Sequence, residues 1–284
     1  MSGDALYDRC ARDAAAAVIS TYSTSFSLAT RLLGARVRPQ VREVYALVRI
    51  ADEIVDGAAE AAGLSPGDQR IQLDALETET LASMARGFST NLVVHAFALT
   101  ARSCGIGEDL VRPFFASMRT DLDRSAHDAA SHDAYVYGSA EVVGLMCLQV
   151  FVNAGTAAPP RDAPAELVDG ARRLGAAFQD INFLRDLADD SERLGRDYLG
   201  IEGAAGRTAV LARIDQDLDA AAAVIPHLPG DCRRAVTTAH GLFAELARRL
   251  RDDASGARVR VPAPVKASIA VRAVAGRPPR RSAS

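Results

Sequence analysis

Two stretches of the chain place oxygen-bearing and charged side chains at helical spacing. The first, residues 45–57, reads YALVRIADEIVDG, and the second, residues 179–198, reads QDINFLRDLADDSERLGRDY. Both contain good helix formers, with no glycine or proline in the part that carries these side chains. Because an α-helix has about 3.6 residues per turn, side chains three or four positions apart share a face. The residues that share a face are Tyr45, Arg49, Asp52 and Asp56 in the first stretch, and Gln179, Asn182, Asp186 and Asp190 in the second, with Arg185 beside them.

Carboxylates one turn apart on a helix repel each other, so the pattern requires an explanation. The ordinary explanation is a solvated acidic face. Here each acidic face adjoins a strongly apolar one, and a buried carboxylate pair without a cation is strongly unfavourable. Hard divalent cations remove that cost, because oxygen ligands at this spacing can share metal ions with a phosphate-bearing substrate. We therefore predict a metal–diphosphate site that uses Mg²⁺, with Mn²⁺ as the alternative ion. The predicted ligands are Asp52, Asp56, Asn182, Asp186 and Asp190.

The remaining residues suit the ionisation of an allylic diphosphate. Arg49 and Arg185 would supply permanent positive charge to phosphate oxygens. The carbocation left behind needs an apolar pocket that excludes water. Residues 135–152, YVYGSAEVVGLMCLQVFV, form the most apolar stretch. It is too interrupted to predict a membrane span, and we expect a buried helix. Its small residues indicate either close helix packing or the wall of a long apolar cavity.

Composition limits the class of protein. A chain of 284 residues, 49% hydrophobic, can bury a sizeable core. A net charge of −3 and a pI near 6.0 argue against a nucleic-acid-binding protein. The cysteines show no metal or redox spacing, which fits free core thiols in a reducing, cytoplasmic location, and no signal peptide opens the chain. The four cysteines are Cys10, Cys104, Cys147 and Cys232.

Helical patterns alternate with loop signals along the whole chain, and no useful strand-period alternation occurs. Helices are predicted at residues 4–21, 28–33, 41–56, 68–86, 91–104, 109–122, 135–152, 165–193, 208–225 and 231–251, with a short helix ending at residue 274. Residues 22–27, 125–133 and 195–206 are predicted as turns or loops. We predict an all-α fold with one domain, residues 1–275, and a basic, disordered tail, residues 276–284.

The segments DEIVD and NFLRDLADD…GRDYL closely resemble the two aspartate-rich motifs of the squalene/phytoene synthase family, and the resemblance runs from about residue 23 to about residue 274. That family joins two isoprenoid diphosphates head to head. The resemblance implies an isoprenoid-synthase-type helical bundle around a central apolar cavity. It places Tyr135 near the diphosphate and gives the STSFS segment contacts to it, where local sequence alone favours a capping turn. Catalytic roles then fall to Asp52, Asp56, Asp186, Asp190 and Tyr135, and substrate-binding roles to Ser23, Ser25, Phe26, Tyr45, Arg49, Gln179, Arg185 and Tyr198.

The spelling of YGSAEVVGLM and NFLRDLADD is most similar to bacterial phytoene synthases. The resemblance therefore implies condensation of two geranylgeranyl diphosphates to phytoene through a cyclopropyl (prephytoene) diphosphate, in carotenoid biosynthesis, without NADPH. The alternatives are squalene or dehydrosqualene synthesis from two farnesyl diphosphates, a cyclase or prenyltransferase that uses one substrate at this site, and a non-catalytic helical scaffold. Intact acidic faces argue against the scaffold.

The last segment, residues 257–284, carries seven basic residues and no acidic ones. The simpler explanation is a docked terminal helix followed by a disordered tail. The alternative is an attraction to anionic lipid, which would make the protein peripheral on the inner face of the cell membrane.

Overall fold

The computed structural model describes residues 3–22, 25–123, 129–189, 203–252 and 259–279, and every regular element within these ranges is a helix. The α-helices are α1 (Gly3–Tyr22), α2 (Ser25–Arg31), α3 (Arg38–Asp56), α4 (Ala58–Ala61), α5 (Pro66–Arg86), α6 (Leu92–Cys104), α7 (Glu108–Asp123), α8 (Ala129–Val136), α9 (Val142–Asn153), α10 (Ala165–Asp189), α11 (Gly203–Val224), α12 (Gly230–Asp252) and α13 (Ala263–Val274). A π-helical turn, Tyr137–Glu141, joins α8 to α9, and a 3₁₀ turn, Ile225–His227, follows α11. The prediction of an all-α fold is confirmed.

Local sequence signals set several helix ends. Ser65 and Asp68 form a capping box at the start of α5, where each side chain accepts a hydrogen bond from the other residue's backbone N–H. The side chain of Asn91 caps α6. Gly87 and Gly105 follow α5 and α6 in the left-handed conformation, at φ 82° and 74°, which glycine adopts without strain. These ends agree with the predicted helix boundaries within two residues.

The predicted loop at residues 125–133 is wrong in its second half, because α8 begins at Ala129. His132 of this helix is buried, and its Nε2 lies 3.0 Å from Asp180 Oδ1 of α10. Arg213 of α11 donates from Nε to Asp180 Oδ2 at 2.9 Å. His132 therefore has partners in two distant helices, Asp180 of α10 and Arg213 of α11, which local sequence does not reveal.

Two further predictions need correction. Residues 203–206, expected in a glycine-rich loop, form the first turn of α11. Cys10 is exposed and so is not a core thiol, whereas Cys104 and Cys232 are buried as expected.

Phe115 and Met118 pack in the main core, which α3, α6, α7 and α9 share. A second hydrophobic cluster joins α10, α11 and α12.

The apolar stretch forms one continuous helical path, Ser131–Asn153, interrupted only by the π turn. It is long and apolar enough to cross a membrane by length and composition, since its 18-residue window has a mean hydropathy of 1.5. Within the fold it packs against α3, α7 and α10. This placement is the one predicted for a buried helix.

Candidate functional site

A cavity of about 320 Å³ lies among α2, α3, α9, α10, α11 and α12, and its wall is almost wholly apolar. α3 and α10 each contribute a stripe of residues along one face. The α3 stripe is Val41, Val44, Tyr45 and Val48, and the α10 stripe is Leu167, Gly170, Ala171, Leu174, Gly175, Phe178, Gln179 and Asn182. The cavity therefore has the form predicted for a pocket that holds a hydrocarbon chain.

Polar side chains of α3 and α10, the two helices that carry the aspartate-rich segments, line this cavity. Tyr45 lies on α3, and Gln179 and Asn182 lie on α10, so residues far apart in sequence line one space. Each stripe leads along its helix to an aspartate. Asp52 lies one turn beyond Val48, and Asp186 lies one turn beyond Asn182.

The wall that the π turn and α9 contribute also packs closely against α10. A Cβ atom on Gly144 would lie 2.8 Å from the carbonyl oxygen of Ala171, and one on Gly175 would lie 2.7 Å from that of Ala140. Gly144 and Ala140 also line the cavity. The two interpretations of the small residues, close packing and cavity wall, are therefore both correct.

Arg49 holds the acidic end of α3 together. Its Nη1 donates to Asp52 Oδ2 at 2.6 Å, its Nη2 pairs with Glu53, and its guanidinium lies 4.5 Å from the centre of the Tyr22 ring. Burial raises the pKa of Asp52; the charge of Arg49 opposes this shift, and Asp56 and Glu53 add to it. The contact with Glu53 lies outside the predicted site and follows only from the i, i+4 spacing to Arg49.

The acidic end of α10 has a similar ion pair. Arg185 donates from Nε to Asp186 Oδ1 at 2.9 Å and pairs with the second carboxylate oxygen as well. Ser23, Asp190 and Tyr198 lie outside the described residues. Ser25 and Phe26 are described only through the backbone of α2. The roles predicted for these five residues stay predictions.

The donor set suits a hard divalent cation. Carboxylates and an amide oxygen are the ligand types that Mg²⁺ accepts, and it usually completes its coordination with substrate phosphates. Burial and the charge of Asp56 both raise the pKa of Asp52. A cation bound beside the two carboxylates would stabilise their charged forms and so offset both effects. Across the described part of the chain, no three His, Cys, Asp or Glu side chains cluster closely enough to hold a metal by themselves. The site predicted from the sequence includes the phosphate oxygens of the substrate as further ligands.

Tyr135 is fixed beside α10. Its ring is buried and lies 5.8 Å from that of Phe183, its hydroxyl donates to Asp121 Oδ2 at 3.0 Å, and its carbonyl accepts from Ser117 Oγ at 2.7 Å. The described wall of the cavity does not include Tyr135. Its role near a diphosphate thus stays a prediction.

Glu141, the acidic residue of the apolar stretch, forms an ion pair with α10. Arg172 donates from Nε to Glu141 Oε2 at 2.6 Å, and its guanidinium lies 5.3 Å from the centre of the Tyr137 ring. The partner is 31 residues away in sequence. No local signal indicates this contact.

Comparisons with known proteins agree with these observations. Residues 19–206 match the family model described as squalene/phytoene synthase. A 15-cis-phytoene synthase of Paracoccus sp. is 31% identical over 188 residues, which cover 64% of this chain and 57% of that relative. The chain spans about half the length of the curated relatives it matches, between 42% and 57% for the first two.

Solved structures share the fold. A dehydrosqualene synthase in complex with a ligand superposes with a TM-score of 0.78 at 22% identity, covering 95% of this chain and 97% of that one. A squalene synthase from Alicyclobacillus acidocaldarius gives a TM-score of 0.72 at 19% identity, covering 87% of this chain and 95% of that one. The helical bundle around the cavity is therefore a known architecture.

Proposed function

Because the chain belongs to the squalene/phytoene synthase family, we propose that it joins two prenyl diphosphates head to head. The observation that carries the proposal is the cavity itself. It is apolar along its length, it is lined by Tyr45, Gln179 and Asn182, and Asp52 and Asp186 follow one turn beyond its lining. A prenyl diphosphate has the matching form, with a long hydrocarbon chain and a dianionic or trianionic end.

The residues divide the chemistry between them. Arg49 and Arg185 bind phosphate oxygens, and the predicted ligand set of aspartates and Asn182 holds the metal. When bound, Mg²⁺ supplies positive charge that stabilises the departing pyrophosphate. The apolar wall keeps water from the allylic cation, which water would otherwise capture.

The proposed reaction has two stages. One substrate loses pyrophosphate, and the double bond of the second captures the resulting allylic carbon; loss of a proton then closes a cyclopropyl diphosphate. A second loss of pyrophosphate, rearrangement and loss of another proton give a linear hydrocarbon. This ending consumes no reductant, so NADPH is not required.

We propose geranylgeranyl diphosphate as the substrate and phytoene as the product. This choice is supported by the curated relatives, which are named phytoene synthases in both bacteria and plants. Farnesyl diphosphate is the alternative, because the structures that share the fold are named squalene and dehydrosqualene synthases.

A product assay tests the proposal. The purified protein receives geranylgeranyl or farnesyl diphosphate separately, with Mg²⁺, with Mn²⁺, or with EDTA, and with or without NADPH. We expect a C40 hydrocarbon from geranylgeranyl diphosphate with metal and without NADPH, and no product with EDTA. A C30 product would instead assign squalene or dehydrosqualene synthesis, and the absence of any coupled product would contradict head-to-head condensation.

We also propose that α13 attaches the protein to anionic lipid on the cytoplasmic face of the membrane. The outward face of this helix carries two exposed aliphatic side chains, Val271 at 68% and Val274 at 46% exposure. Arg272 lies in its last turn and Arg277 follows it. Apolar side chains flanked by basic ones match the interface of an anionic bilayer.

A further inference from the structure

The apolar wall of the cavity contains a serine whose hydroxyl has no evident structural purpose. Ser139 lines the cavity from the π-helical turn. Its Oγ is enclosed and has no hydrogen-bond partner within the described part of the chain. An enclosed polar atom without a partner lowers stability, so its presence needs an explanation.

The usual partner of a helical serine is already engaged. A serine within a helix commonly donates to the carbonyl four residues earlier, which here belongs to Tyr135. That carbonyl accepts from Ser117 Oγ at 2.7 Å. The backbone is also widened at this point, because the N–H of Val142 donates to the Tyr137 carbonyl five residues back. Such π-helical turns occur frequently at functional sites.

Packing of the π turn and α9 against α10 gives the level of Ser139 in the cavity. Its neighbour Ala140 meets Gly175, and one further turn along α10 leads to Gln179, a polar residue of the lining. In the other direction, Leu148 and Leu167 meet in an apolar cluster. Ser139 therefore lies near the middle of the α10 lining, about one turn from Gln179, the first polar residue on the way to Asn182 and Asp186.

We propose that Ser139 Oγ contacts the bound prenyl chain within the cavity and stabilises the positive charge that develops on that chain as pyrophosphate leaves. This inference rests on the proposed function and adds a residue to the same site. In a wall that excludes water, a fixed oxygen dipole acts on a cation far more strongly than it would in solvent. The hydroxyl acts through its lone pairs, and no proton or other atom is transferred.

Substitution of the hydroxyl separates this role from a structural one. We expect Ser139→Ala to lower kcat roughly tenfold or more with little change in KM, because the contact strengthens only as charge develops. The melting temperature should stay the same or rise, since an unpartnered buried polar atom is removed. Ser117→Ala is the matched comparison, because that buried serine has a partner and its loss should lower the melting temperature.

Binding of two analogues gives a readout that does not depend on turnover. The first is a prenyl ammonium compound, added together with pyrophosphate; its positive charge imitates the carbocation. The second is a thiolo diphosphate of the same chain length, which carries no positive charge on its prenyl chain. Ser139→Ala should weaken binding of the ammonium compound by a factor similar to the loss in kcat and leave binding of the thiolo compound unchanged.

Three results would overturn the assignment of Ser139: full kcat in Ser139→Ala, equal weakening of both analogues, or a fall in melting temperature as large as that of Ser117→Ala. If the wild-type protein forms no coupled product, the proposed function fails by itself. The two analogues then still decide whether the hydroxyl recognises positive charge, since selective weakening supports the assignment and equal weakening rejects it.

Discussion

At the scale of single residues, the sharpest prediction concerns the aspartates beyond the cavity lining. Asp52→Ala and Asp186→Ala should each reduce kcat/KM at least a hundredfold, because each removes charge that holds the metal and the leaving group. The helical fold should survive, since each side chain is ion-paired with an arginine of its own helix. Steady-state kinetics and circular dichroism measure the two effects.

Asp169→Ala is the matched control for this experiment. Asp169 also lies on α10 and is also ion-paired within the helix, with Arg173, but its side chain is 63% exposed and does not line the cavity. Its loss should leave kcat/KM close to the wild-type value. Substantial turnover by Asp52→Ala or Asp186→Ala would contradict the metal assignment.

Glu43 lies on α3 and is buried between helices. Thr100 donates a hydrogen bond to one of its oxygens, and Arg12 lies 3.7 Å from the other. Burial raises the pKa of Glu43 above its ordinary value of 4.5, while Thr100 and Arg12 oppose the shift. The folded state therefore binds a proton more tightly than the unfolded state, so the wild-type protein loses stability as pH rises from 4.5 through the raised pKa.

Glu43→Gln removes this titration while keeping the shape of the side chain. We expect its melting temperature to match the wild type at a pH below 4.5 and to exceed it at neutral pH, with kcat unchanged. Melting curves across this pH range, recorded for both proteins, test the prediction. A difference that stays constant with pH would show that ionisation of Glu43 does not affect stability.

At the scale of helices, periodicity predicted most of the fold because apolar spacing and end signals are local. The beginning of α8 is not predicted by the sequence, because His132 depends on Asp180 and Arg213, and neither contact can be inferred from neighbouring residues. Contacts between residues distant in sequence also limit what can be predicted of the site. Spacing alone predicts Tyr45 and Gln179, which share faces with the acidic residues, but only the packing of the π turn against α10 sets the position of Ser139 in the cavity.

That packing depends on Gly175, at the contact between α10 and the π turn. A Cβ on Gly175 would lie 2.7 Å from the carbonyl oxygen of Ala140 and 3.0 Å from the Cα of Glu141. These are backbone atoms, so no change of side-chain rotamer can remove the clash. Gly175→Ala should therefore destabilise the protein by about 1–3 kcal/mol, because the strain exceeds the gain of up to about 1 kcal/mol in helix propensity. Urea unfolding measures the change.

Gly67→Ala provides the control for this substitution. Gly67 also lies in a helix, in the first turn of α5, and its nearest contact would be Ser65 Oγ at 3.7 Å. We expect it to be neutral or to stabilise the protein by up to about 1 kcal/mol. If the two alanine variants were equally stable, the backbones of the π turn and α10 would not be in the close contact that Gly175 permits.

At the scale of the whole molecule, charge is divided unevenly along the chain. The sequence has 33 basic and 36 acidic residues, and residues 257–284 hold seven of the former and none of the latter. The rest of the chain therefore carries a net charge of −10. An anionic bilayer would repel most of this surface and attract only the terminal segment, which favours one orientation of the protein on the membrane.

This orientation leads to a prediction about vesicle binding. The protein should sediment with phosphatidylglycerol vesicles but not with phosphatidylcholine vesicles, and added salt should release it. Val271→Asp combined with Val274→Asp should abolish sedimentation, because it places charge on the exposed apolar face of α13. Ile71→Asp is the control, since Ile71 of α5 is equally apolar and 64% exposed but lies outside the basic segment. Equal binding to both kinds of vesicle, or equal loss in the control, would contradict docking through α13.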